Sequence, residues 1–80
     1  MAVTIADKVR DQLQLHLDLP TPAERRRLRE AAGLSQEEIG SIVGVTRQAV
    51  AQWESGARRN PRGQLLERYV EALRTLRECA

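Results

Sequence analysis

Very little in this chain can carry covalent chemistry. It holds one histidine, His16, and one cysteine, Cys79, together with one tryptophan, one tyrosine and no phenylalanine. A single thiol cannot close an internal disulfide, which fits a reducing compartment. Neither a spaced set of metal ligands nor a nucleophile with its base and orienting group can be assembled, and no glycine-rich phosphate loop is present. The expectation is therefore no enzyme, no metal and no cofactor. Two aromatics give no platform for stacking single-stranded bases, so Tyr69 is expected to be a packed ring. No apolar run is long enough for a signal peptide or a membrane span, which points to the cytoplasm.

What is present is charge and helix punctuation. Eighty residues, 41% hydrophobic and 30% charged, describe one small soluble domain whose core stabilises it only marginally, so that a partner chain would help. The net charge is +2, and its distribution matters more than its size. Residues 1–21 carry two basic and three acidic side chains, residues 22–62 eight and five, and residues 63–80 three and three. The excess positive charge is confined to the middle, as expected for a surface that meets phosphate; the run Arg25, Arg26, Arg27 and Arg29 is either part of that surface or a solvated helix face.

The middle also contains Leu34 to Gly56, LSQEEIGSIVGVTRQAVAQWESG. Ser35 and Glu38 have the spacing of a capping box, with Leu34 and Ile39 where a hydrophobic staple would close. Gly44 ends that helix in a left-handed residue, Thr46 caps a second helix running to about Glu54, and Gly56 stops it. Ile39, Val43, Val45, Val50 and Trp53 fall on the inward faces, and Gly40 lets the two helices approach. Arg47, Gln48, Ala51 and Gln52 are left as one outward stripe near the start of the second helix. That is the side-chain set a major groove requires: arginine pairs bidentately with guanine, glutamine with adenine, and alanine lies against a thymine methyl.

Three stretches, LREAAGLSQEEIG (Leu28–Gly40), GVTRQAVAQWESG (Gly44–Gly56) and the NP...LL..YV.AL pattern of Asn60 to Leu73, resemble the helix-turn-helix of the Cro and lambda-repressor-like (Xre) regulators, over Pro22 to about Leu76. The resemblance implies an all-α, compact lambda-repressor-like bundle of about five helices, with the second motif helix reading bases through Arg47, Gln48 and Gln52. It implies phosphate or minor-groove contacts from Gln36, Thr46, Arg58, Arg59 and Arg62, and a structural role for Glu54. Leu34, Ile39, Gly40, Val43, Gly44, Val45, Val50 and Trp53 would form the motif's core and turn. The function implied is transcription regulation at double-stranded DNA, on the nucleoid, by a repressor acting at a palindromic operator. The rival is a protein-interaction module that keeps the fold, as an antitoxin or phage regulatory partner would, and a second protein partner is compatible with either.

Residues 21–78 are expected to form this domain. Thr21, Pro22 and Glu24 read as a capping box for a helix to about Ala32, with Leu28, Ala31 and Ala32 inward. A last helix from Gly63 or Gln64 presents Leu65, Leu66, Tyr69, Val70, Leu73 and Leu76 as a wide apolar stripe. Residues 1–20 depart from the family pattern, which usually begins near Pro22. Ile5, Val9, Leu13 and Leu17 recur at helical spacing after Thr4 and Asp7, whereas Leu13, Leu15, Leu17 and Leu19 alternate as a strand would. Helix is preferred to about His16 or Leu17, because a lone strand has no pairing partner. Contact with a second copy is expected from Leu13, Leu15, Leu17 and Leu19 or from the far end of the last helix near Leu76; Leu15 and Leu19 are the more diagnostic, because the helical stripe can pack on the chain's own core. One recognition helix reads too few base pairs to single out a genomic site, so a homodimer is expected on DNA.

Overall fold

The computed structural model describes residues 3–56 and 60–79. These form five helices: α1 (Ile5–Asp18), α2 (Pro22–Ala31), α3 (Gln36–Val43), α4 (Arg47–Ser55) and α5 (Gly63–Cys79); the described residues contain no strand. The fold class is the all-α bundle that the sequence implies. Around the turn it follows local chemistry closely. The Glu38 backbone N–H donates to Ser35 Oγ and the Ser35 N–H to Glu38 Oε1, both at 3.0 Å. The Ser35 backbone bond holds the Glu38 carboxyl below its ordinary value. Gly44 ends α3 at φ 93°, where any side chain would be strained, and Thr46 Oγ1 accepts from the Ala49 N–H at 3.1 Å to open α4. The close approach of the two helices needs Gly40, because a Cβ there would lie 2.7 Å from the Val45 carbonyl oxygen.

The core lies where α2, α3, α4 and α5 meet. Leu28, Ile39, Val43, Val50, Trp53, Tyr69, Leu73 and Leu76 are buried in one cluster, with Leu34, Val45, Ala49 and Leu65 half-buried against it. Trp53 and Tyr69 stack tilted at 41° with centroids 4.7 Å apart. Tyr69 is fully enclosed, and burial pushes its phenol up to about 12. A phenol that ionises later in the folded than in the unfolded state stabilises the fold fully below about pH 10. That contribution is lost as pH rises towards 12. Since this is the chain's only tyrosine, ultraviolet titration of tyrosinate reads it alone: the midpoint should fall near 12 in the folded protein and near 10 in denaturant. Thermal stability should decline with alkali across that window in the parent, and more gently in Tyr69→Phe.

Three details differ from expectation. At α2 only half of the capping box forms: Thr21 Oγ1 accepts from the Glu24 N–H at 3.3 Å. The Glu24 carboxylate instead takes a two-pronged bond from Arg27, at 2.6 and 2.9 Å. Ala31 and Ala32 are exposed rather than inward, because Arg25 and Leu28 occupy the inner face and the chain turns away at Gly33 just past the helix end.

The third difference is the rotation of α1. Its start follows the Thr4/Asp7 capping box, but the helix faces the opposite way from the one expected. Leu19 packs on the core, Leu15 is half-buried, and Asp18 pairs with Arg74 of α5. These contacts at the C-terminal end fix the rotation. Ile5, Val9, Leu13 and Leu17 then point to solvent, 81%, 52%, 59% and 79% exposed.

Candidate nucleic-acid interface

The exposed side of α4 begins with Arg47 and Gln48, both open to solvent, and continues one turn later with the half-buried Ala51 and Gln52. The opposite side of the same helix is Val50 and Trp53. Thr46 is exposed at the helix start, its hydroxyl engaged in the cap. The structure brings the start of α3 to the start of α4: Arg26, Ser35, Gln36, Glu37 and Arg47 line one polar cleft. Arg62 lies elsewhere, exposed just before α5, while Arg58 and Arg59 fall outside the described residues. Gln36 is half-buried, and its amide donates to Glu54 Oε1 at 3.2 Å. Of the motif's inner set, Ile39, Gly40, Val43, Val50 and Trp53 are buried and Leu34 and Val45 half-buried, whereas Gly44 is exposed at the turn.

What holds α4 at this angle is a set of arginines whose role the sequence does not disclose. Arg25 is buried; its Nε donates to the Pro20 carbonyl at 2.8 Å and its Nη1 to the Trp53 carbonyl at 3.0 Å. A cation thereby satisfies a carbonyl in the last turn of α4, where the helix dipole is negative. Burial pulls that guanidinium below its ordinary value.

Arg29 makes a fork with Glu54, Nε to Oε2 at 2.6 Å and Nη2 to Oε1 at 2.9 Å, and a third bond from Nη1 to the Leu34 carbonyl at 2.8 Å. The bond to Glu54 holds Arg29 above its ordinary value. The side chains are 12% and 4% exposed, so this is a shielded pair. One carboxylate thus ties α2, α3 through Gln36, and α4. The basic run of α2 divides accordingly. Arg25 and Arg29 are structural, whereas Arg26 and Arg27 are exposed and engaged with Glu30 and Glu24 along their own helix. The signal available in sequence was their spacing of four, which puts Arg25 and Arg29 on one face with Leu28 between them.

Two capped helices joined through a left-handed glycine, the second with its polar side free and its apolar side in the core, are the elements of a helix-turn-helix protein. The helix-turn-helix family model matches residues 26–78, and the chain belongs to that family, in keeping with its resemblance to lambda-repressor-like regulators. No match was found among curated proteins or among solved structures. Family membership makes the chain a DNA-binding regulator with double-stranded DNA as its partner. None of the described helices is long and apolar enough to cross a membrane.

Proposed function

We propose that the chain is a sequence-specific repressor that lays α4 in the major groove and reads base edges through Arg47, Gln48, Ala51 and Gln52. The observation that carries this reading is the free polar stripe on a helix whose other side is locked by Trp53, Arg25 and Glu54. A reader must hold its side chains in register, and a helix fixed on its inner face and at both ends does that with little ordering cost on binding. Gln36 and Thr46 at the two helix starts, with Arg58, Arg59 and Arg62, supply phosphate or minor-groove contacts that position the stripe. Two copies on a palindromic operator give the number of base contacts a genome demands. The protein then works in the cytoplasm, on the nucleoid, as a binding protein and not an enzyme.

Arg47 and Arg62 separate specificity from affinity. Arg47→Ala should cost about 1 to 3 kcal/mol on the preferred duplex and relax the preference at one base pair. Arg62→Ala should weaken binding to all duplexes alike and lower the salt slope by about one. Titrations at several salt concentrations on preferred and scrambled duplexes distinguish them. An Arg47→Ala protein that lost the same affinity on both duplexes would mean that α4 is rotated away from the bases.

A further inference from the structure

Among the five helices α1 alone buries none of its residues. It packs on α5, and from Ile5 to Gln14 every residue but the half-buried Asp7 is exposed. The radius of gyration is 13.1 Å, against roughly 11.6 Å for a compact domain of this length. A short helix standing in water is marginal by itself, and this one turns its largest aliphatic side chains outward.

We propose that α1 is a self-association helix: the ridge Ile5, Val9, Leu13 and Leu17 packs antiparallel on the same ridge of a second copy of this chain. The ridge has a constant spacing of four and is centred on residue 11. An antiparallel copy therefore sets Ile5 against Leu17 of the second copy and Val9 against Leu13 of the second copy, and the reverse contacts follow from the same two-fold axis. Such self-complementarity is what an isologous dimer needs.

Area and charge agree with that occupant. The four ridge residues, each more than half exposed, present on the order of 400 Å² of apolar surface, a patch of functional size. Pairing two copies removes at most about 800 Å², the size of a weak, transient interface, which corresponds to a micromolar rather than a permanent dimer. The four ridge residues carry no charge, and Lys8, Gln12 and His16 line the groove beside Ile5, Val9 and Leu13. Helical phasing puts Asp7, Asp11 and Asp18 on the far side, and Arg10, at the ridge's edge, is already paired with Asp7 at 3.3 Å. Because α4 packs on α2 and α3 while α1 packs on α5, the pairing leaves both base-reading stripes uncovered. The inference deepens the homodimer part of the proposed function, and a mass measured without DNA separates it from the reading of bases.

Sedimentation equilibrium of the full chain without DNA, up to about 0.5 mM, tests it. The parent should pass from monomer to dimer with a micromolar midpoint. Leu13→Glu and Val9→Lys, each placing a charge at an exposed site, should keep parental helix content by circular dichroism yet weaken dimerisation by about a hundredfold or more. A parent that stays monomeric throughout, or a dimer that both variants leave intact, overturns the proposal. Binding of α1 to phospholipid vesicles or to a foreign protein without self-association overturns it as well.

Discussion

Trp53→Ala is expected to unfold the domain near ambient temperature. Trp53 is 7% exposed, stacks on Tyr69 and belongs to the cluster that joins α4 to the other helices. Truncating a buried tryptophan costs about 3 to 5 kcal/mol, the lost transfer of the ring plus the cavity it leaves. A chain of this size has roughly 4 to 12 kcal/mol in total, and a small core puts it towards the lower end. Loss of the ring also frees the base-reading helix, because Trp53 is the largest anchor on its inner side. Thermal unfolding followed by circular dichroism gives the outcome. A Trp53→Ala protein with the parent's melting temperature would mean that α4 is phased differently and that its outward stripe is not the one named.

Glu54→Ala should be nearly as damaging, for an electrostatic reason. Removing the carboxylate strips Arg29 of two of its three bonds and leaves its guanidinium shielded from water without a counter-charge. Breaking a buried pair from one side costs about 3 to 5 kcal/mol, most of it the penalty of the stranded charge. Removing both charges together, as in Arg29→Met with Glu54→Leu, should cost much less, because no unpaired group remains. Chemical denaturation of the two single variants and the double variant measures the coupling. If Glu54→Ala alone were neutral, Arg29 would have another partner and the three-helix tie would be wrong.

These two sites mark what a sequence discloses and what it conceals. Ser35, Glu38, Gly44 and Thr46 act on backbone groups no more than three or four residues away, so the turn and the ends of α3 and α4 are written in contiguous residues. The outward stripe of α4 follows from helical phase once Val50 and Trp53 are known to be inside. The contacts of Arg25 and Arg29 reach across 28 and 25 residues to Trp53 and Glu54. Helical phase puts Arg25 and Arg29 on the face of Leu28, but nothing local names the carbonyls and the carboxylate they reach, so the run was legible as charge and its bracing role was not. For α1 the periodicity states which residues share a face, but not which face meets the chain. That is decided by Leu19 and Asp18 at the end where α1 joins the body. Glu24 shows the same limit at shorter range: the capping residue and Arg27 compete for one carboxylate, and the fork to arginine prevails.

The most direct measurement of the central claim, that α4 reads sequence in duplex DNA, is selection of bound duplexes from a random pool by the parent protein and by Gln48→Ala. The parent should enrich one motif, arranged as two inverted half-sites about one helical turn apart, and Gln48→Ala should lose preference at one position of each half-site while keeping the rest. A parent that enriched no motif, or a Gln48→Ala protein that selected the parent's motif unchanged, would contradict it.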